Sequence, residues 1–200
     1  MIAPRLRIVG MRSRLAGPFE LELAAGEAIA ITGASGSGKS LFLRMLADLD
    51  PNEGDVFLDG TPRQSIPAPA WRRQVAYVAA ESGWWDEMVA PHFTDLAAAR
   101  TLAARLGLRA ELFDGPVLRL STGEKQRLSL IRSLLLASPV LLLDEPTGAR
   151  DEASVEMVEA VLLERIAGGT TLVAVTHNPA QGARLGRRHF IMADRKLRAA

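Results

Sequence analysis

Eight residues, Gly33-Ala34-Ser35-Gly36-Ser37-Gly38-Lys39-Ser40, constrain this chain more than any other stretch. They fit the pattern G-x-x-x-x-G-K-[ST] without a mismatch. A strand-like run, Glu27-Ala28-Ile29-Ala30-Ile31-Thr32, precedes them, and a helix-like run, Leu41-Phe42-Leu43-Arg44-Met45-Leu46-Ala47, follows. The glycines let backbone N–H groups turn toward one anionic centre, and the new helix points its positive end at that centre. The stretch therefore predicts phosphate binding. Lys39 would reach the β- and γ-phosphates and Ser40 would hold Mg²⁺.

The rest of the chain is consistent with one α/β domain built around that loop. Its 200 residues suit a single domain with a small insertion and are enough to bury a core. The net charge of +1 gives no support to nucleic-acid binding through bulk charge, so no nucleic-acid partner is expected. The absence of cysteine excludes disulfides, thiolate metal sites and cysteine catalysis. The first residues lack an apolar run of signal-peptide length, and no run reaches the ~18 residues of a membrane helix. A membrane role is therefore expected to come through a partner.

Coarse periodicity orders the elements. Arg5 to Val9 and the alternating Phe19-Glu20-Leu21-Glu22-Leu23 read as strands of an antiparallel N-terminal layer. Asp55 to Leu58 reads as a strand closed by the tight turn Asp59-Gly60. Pro62, Pro67 and Pro69 predict an irregular stretch, and Gln74 to Ala79 another strand. From about Trp84 to Arg119 strand signals vanish and Phe93 to Leu106 turns helical. With the helix that follows, this predicts an inserted helical subdomain over about 84–137. Ser121 to Ala137 is that helix, opened by the capping-box pattern Ser121-Thr122-Gly123-Glu124. Val140-Leu141-Leu142-Leu143 is apolar without alternation, as for a strand buried on both faces of a parallel sheet. Then come a helix from Asp151 to Ile166 with Asp151 as its cap, and a strand from Thr170 to Val175. A short helix from Asn178 and a last strand from Arg188 to Met192 complete the chain. Strands alternating with helices imply a parallel core.

Three further groups carry chemistry. Asp144-Glu145 ends a buried strand, at the sheet edge where ligands of open α/β sheets bind. Asp144 could hold Mg²⁺ through water and Glu145 could take a proton from an attacking water. The alternative is a solvated acidic turn before Pro146. His177 follows another strand end, where an imidazole could hydrogen-bond a γ-phosphate, or could simply be a loop histidine. The helix starting at Ser121 offers free N–H groups to an anion that need not be held by the chain's own loop, although a capping box alone marks only a helix start.

The order of these motifs is informative. The phosphate loop, Leu120-Ser121-Thr122-Gly123-Glu124-Lys125-Gln126-Arg127, Leu141-Leu142-Leu143-Asp144-Glu145-Pro146-Thr147 and Val175-Thr176-His177 together resemble the ATP-binding cassette (ABC) ATPase family over nearly the whole chain. The resemblance implies a P-loop NTPase core with a mostly parallel sheet. It implies that Gly33, Ala34, Ser35, Gly36, Ser37, Gly38, Lys39, Ser40 and the adjoining Leu41 bind ATP, with Mg²⁺ on Ser40 and Asp144. Glu145 becomes the general base and His177 the γ-phosphate sensor. Ser121, Gly123 and Glu124 reach ATP held by a second copy, so a head-to-tail homodimer follows. Gly148-Ala149-Arg150-Asp151 is similar to the loop that couples the two sites. The implied activity is ATP hydrolysis powering a separate integral membrane permease, with the cassette on the inner face of the cell membrane. The compact form is similar to small exporter-type cassettes, including an iron-export type.

The sequence departs from the family in three places. The family usually carries Gln where this chain has Ala80, and Glu81 could substitute or the role could be missing. The family usually stacks an aromatic residue on adenine, and Gly10-Met11-Arg12 offers none, leaving Met11 or Arg12 to cover the ring. Thr122 and Glu124 stand where Gly and Gln are usual. Trp84-Trp85 reads equally as a protein-interface anchor or as packing between subdomains. A soluble cassette acting on ribosomes or DNA, a weakly hydrolysing nucleotide switch and a P-loop kinase are the competing functions.

Overall fold

The computed structural model describes residues 3–146 and 152–200. Two sheets form among them. β1 (Leu6–Arg12), β2 (Phe19–Leu23), β4 (Glu53–Leu58) and β5 (Thr61–Pro62) make an antiparallel sheet in the order β2-β1-β4-β5. The second sheet has β3 (Ala28–Thr32), β6 (Val75–Val78), β7 (Val140–Asp144), β8 (Thr171–Val175), β9 (Arg188–Ala193) and β10 (Lys196–Ala199). Its order is β10-β9-β3-β8-β7-β6, parallel except for β10. The expected antiparallel layer and mostly parallel core are both present.

The period of two survives inside strands that are apolar throughout. Along β7, Val140 and Leu142 pack into one core while Leu141 and Leu143 pack into the other. Along β8, Val173 and Val175 take the first core, and Leu172 and Ala174 the second. The first core lies between the parallel sheet, the antiparallel sheet and α1 (Lys39–Leu46), which contributes Phe42, Leu43, Met45 and Leu46. The second core packs α3 (Leu96–Arg105), α4 (Thr122–Leu134) and α5 (Glu152–Ala167) on the opposite face. Burial on both faces is why the sequence of these strands shows no alternation.

Two expectations need correction. The proline-bearing stretch is not irregular throughout, because α2 spans Ala68–Gln74. Pro67 caps it and Pro69 lies in its first turn, where a missing N–H breaks no hydrogen bond. Its anchor is Trp71, fully buried, whose Nε1 donates to the Leu46 carbonyl at 2.8 Å. Nor is Arg188 to Met192 the last strand, since β10 folds back on β9. Two of its four residues are charged and its burial is slight, so its sequence carries little strand signal.

Between Trp84 and Ala137 the described backbone is helical or irregular, with a single isolated bridge, Met88 to Pro116. The short α6 (Pro179–Leu185) starts at Asn178, whose side chain caps it. The proposed coupling loop at Gly148 to Asp151, and Asp151 as a helix cap, lie outside the described residues. No helix among the described residues is long and apolar enough to cross a membrane.

Candidate functional site

The loop between β3 and α1 forms a cradle that excludes side chains at its entry. A Cβ on Gly33 would lie 2.3 Å from the Met192 carbonyl oxygen and 3.0 Å from Ser37 Oγ, at φ 148°. Gly36 and Gly38 also have positive φ, 75° and 107°, and a Cβ on Gly36 would meet nothing within 4 Å. The buried Lys39 folds back into the loop, its Nζ donating to the carbonyls of Gly33 at 2.8 Å and Ala34 at 2.9 Å. Burial holds its pKa below the usual lysine value of 10.5, and the nearby charges of Glu145 and Asp144 pull it back up.

A cavity of about 370 Å³ opens above the loop. It is lined by Ser35, Gly36, Gly38, Lys39, Ser40 and Leu41 from the loop and α1, and by Asp144, Glu145 and His177 from the ends of β7 and β8. Residues as far apart in sequence as Ser35 and His177 therefore face one space, because β3, β8 and β7 are neighbours in the sheet and end at the same edge.

Each side chain on that edge is held. Asp144 is buried, and Tyr77 Oη donates to its Oδ2 at 2.9 Å. Burial, then the adjacent carboxylate, drive the Tyr77 pKa well above the ordinary value of 10.0, so the phenol stays a donor. Glu145 has φ 54°, a left-handed conformation that side chains disfavour. Its N–H donates to the Val175 carbonyl at 2.9 Å and its own carbonyl accepts from Gln126 Nε2. Its Oε1 lies 2.8 Å from His177 Nε2. Backbone strain over-determined on three sides is a feature of functional positions.

The other expected site residues do not join this cavity. Ser121 and Glu124 form a complete capping box, with Glu124 N–H donating to Ser121 Oγ at 3.3 Å and Ser121 N–H to Glu124 Oε2 at 2.8 Å. The Ser121 hydroxyl also donates to Glu124 Oε2 at 2.8 Å; burial pushes the carboxyl's pKa up, but the Ser121 bonds and the charges of Arg109 and Arg127 together hold it below its usual value. Ser121, Gly123 and Glu124 do not line the space above the chain's own loop. Ala80 does line it and Glu81 does not.

Trp84 and Trp85 part company. Trp84 packs against the second core, while Trp85 is 68% exposed. Both rings flank His92, at 4.8 and 4.3 Å, and the Arg132 guanidinium lies over them at 5.4 and 4.7 Å. Trp85 lines a second cavity, of about 520 Å³, with Leu49, Arg72, His92, Phe93 and Arg132.

Three further residues at the site carry no role legible in sequence. In sequence Tyr77 is a strand position and Gln126 one residue of the helix motif from Leu120 to Arg127. Arg195 also lines the phosphate-loop cavity. None has a local signal, because each reaches the site through a partner distant in the chain.

The residues present fit a nucleotide with Mg²⁺. Ser37 Oγ is buried without a protein partner, and the glycines leave the loop open to a phosphate. Ser40 and Asp144 supply two oxygen donors to one cavity. Mg²⁺ takes one or two protein ligands and completes its shell with phosphate oxygens and water.

This combination of a strand–loop–helix phosphate cradle, strand-end carboxylates and a histidine just beyond a neighbouring strand defines a P-loop nucleotide site. The chain belongs to the ABC transporter family, whose model matches residues 17–148. A probable export ATP-binding/permease protein of Pseudomonas fluorescens is 35% identical over 206 residues, covering 90% of this chain and 32% of that protein. The macrolide export ATP-binding/permease protein MacB of Escherichia coli is 34% identical over 177 residues, covering 80% of this chain and 27% of its own length. The chain thus spans about a third or less of the length of these curated relatives. In fold it is similar to the ATP-binding cassette MJ0796, solved as a dimer in a post-hydrolysis state bound to ADP and Pi. The TM-score is 0.81 at 22% identity, with 98% of this chain and 97% of that chain covered.

Proposed function

We propose that the chain binds and hydrolyses ATP and that hydrolysis powers a membrane-spanning permease. The observation that carries this reading is the meeting of Lys39, Ser40, Asp144, Glu145 and His177 in one cavity, with Glu145 and His177 in contact at 2.8 Å. The site residues are those of the phosphate loop from Gly33 to Leu41, with Asp144, Glu145 and His177.

The roles follow from chemistry. Lys39 exchanges the carbonyls of Gly33 and Ala34 for the β- and γ-phosphates of ATP. The loop N–H groups and the start of α1 hold the same anion. Tyr77 orients Asp144 through its hydroxyl. Ser40, and Asp144 through water, would hold Mg²⁺, which would neutralise charge on the phosphates. Glu145 accepts the proton of the attacking water, and His177 steadies that carboxylate and donates to the γ-phosphate. General-base catalysis of this kind contributes about 10²–10⁴ in rate.

The capping-box helix points to a second copy. Ser121, Gly123 and Glu124 lie outside the chain's own phosphate cavity, as a head-to-tail homodimer with two shared ATP sites requires. Gln126, on the same helix, donates to the Glu145 carbonyl and would pass the partner's arrival to the base. The chain reads as a single ABC ATPase domain over 1–200, with 84–137 as its inserted helical subdomain. The Trp85 groove, which is basic and apolar, supports docking of a separate permease subunit. On this reading the chain works in the cytoplasm, on the inner face of the cell membrane. The relatives named as combined ATP-binding/permease export proteins favour export.

The test is turnover by the wild-type chain and by Glu145→Gln, with ATP binding measured in parallel. The expected result is binding in both and a loss of hydrolysis of at least about 10²-fold in the variant. Hydrolysis unchanged in Glu145→Gln would overturn the assignment of the base.

A further inference from the structure

The turn between β9 and β10 holds a residue in the wrong conformation for its type. Asp194 and Arg195 are its two tip residues, with Ala193 and Lys196 paired on either side. Both have positive φ, 48° and 58°. Two-residue turns of this kind favour Asn or Asp followed by Gly, because the second position crowds any Cβ. Asp194 conforms and Arg195 does not. A long side chain kept in a disfavoured conformation is a pointer to function when the surroundings hold it there.

The surroundings do hold it. The Gly17 N–H donates to the Arg195 carbonyl at 3.0 Å, and Arg195 Nη1 donates to the Leu15 carbonyl at 3.0 Å. The side chain crosses Gly38, where a built Cβ would lie 3.6 Å from Arg195 Cγ. The side chain therefore passes its aliphatic stem by the phosphate loop and its guanidinium to the 13–17 loop, and Arg195 lines the same cavity as Lys39 and Glu145.

Sheet order gives the direction. β8 and β7, which carry His177 and Glu145 at their ends, lie on one side of β3, and β9 lies on the other. A triphosphate whose last phosphate faces Glu145 and His177 runs its ribose and base toward Leu15 and Arg195. The loop there reads Ser13-Arg14-Leu15-Ala16-Gly17 and contains no aromatic ring. A guanidinium is planar, always charged, and packs on the face of an aromatic base.

We propose that Arg195 is a nucleotide-binding residue, its guanidinium packing on the base of ATP while the Leu15 carbonyl holds its edge. The inference rests on the nucleotide reading of the cavity. It assigns the base end of the site to a side chain from the β9–β10 turn.

The test is Arg195→Gly, which removes the side chain and places the favoured residue in the turn, with Arg195→Lys keeping the charge but not the plane. Calorimetric titration with ATP and with inorganic tripolyphosphate, which has no base, is run on each chain. The expected result is ATP affinity about tenfold weaker in Arg195→Gly with tripolyphosphate affinity unchanged. Arg195→Lys should recover only part of the ATP affinity, and the nucleotide-free melting temperature of Arg195→Gly should be equal or higher. Wild-type ATP affinity in Arg195→Gly or in Arg195→Lys, or an equal loss for ATP and tripolyphosphate, would overturn the base contact while leaving the nucleotide site intact. A wild-type chain that binds neither ligand would overturn the nucleotide reading, and this inference with it.

Discussion

Glu145 concentrates the chemistry and the strain of the site in one residue. Its φ of 54° is a left-handed conformation that disfavours a side chain by about 1–2 kcal/mol. Glu145→Gly should therefore raise nucleotide-free stability by about 1 kcal/mol in urea denaturation while removing hydrolysis. A fall in stability would mean that the Glu145 contacts outweigh its backbone cost. Tyr77 makes a prediction in pH. Its folded pKa lies above the unfolded value near 10.0. The native state thus keeps a proton that the unfolded chain loses, so stability is intact below about pH 10 and falls as pH rises beyond it. Tyr77→Phe should flatten that alkaline decline in a melting series from pH 8 to 11, and an unchanged slope would remove Tyr77 as its source. Ala80 brings a methyl group to the cavity wall. If an amide there limits catalysis, Ala80→Gln should raise turnover by about 10- to 100-fold, the worth of one hydrogen bond to a charged group. Equal turnover would show that the wild-type site works without that amide.

At the scale of elements, α4 does two jobs that mutation can separate. The capping box satisfies the Glu124 N–H and the Ser121 N–H within the chain. Ser121→Ala should cost about 1 kcal/mol of stability, read from the denaturation midpoint. If Ser121 also serves a second copy's nucleotide, hydrolysis should fall by far more than that destabilisation explains, with ATP binding by the single chain unaltered. A loss of turnover no larger than the loss of folded protein would limit Ser121 to its cap. The element α2 shows where local reading fails. Three prolines across 62–69 argue against a helix, but two of them stand at its start, where they do no harm. What makes the segment helical is Trp71, which fills the first core and satisfies a carbonyl at the end of α1. No pattern within the segment contains that partner.

For the molecule as a whole, Ser121 lies outside the chain's own phosphate cavity, and on the proposed reading catalysis needs two chains. Turnover per chain should rise with protein concentration, and Glu145→Gln with ATP and Mg²⁺ should sediment as a dimer while the nucleotide-free chain does not. Concentration-independent turnover by a species that sediments as a monomer would exclude the shared site. The two faces of the parallel sheet divide the labour. One core ties the phosphate loop and α1 to the antiparallel sheet, and the other ties α3, α4 and α5 to the strand ends that carry the carboxylates.

Local chemistry along the chain was enough to reveal the phosphate loop, the capping box, the doubly buried strands and the strand-end position of Asp144, Glu145 and His177. Each depends on residue types at short, regular spacing: glycines where a loop must approach an anion, an unbroken apolar run where both faces are covered, a Ser and a Glu three residues apart at a helix start. Tertiary packing alone decided the rest. It turned a proline-rich stretch into α2 through Trp71, folded β10 back to carry Arg195 over Gly38, and set Tyr77 on Asp144 and Gln126 on Glu145. In those cases the deciding contact lies between 19 and 157 residues away along the chain, as between Gln126 and Glu145 or Gly38 and Arg195. A contact of that kind exists only once the sheet order has brought its two ends to one edge.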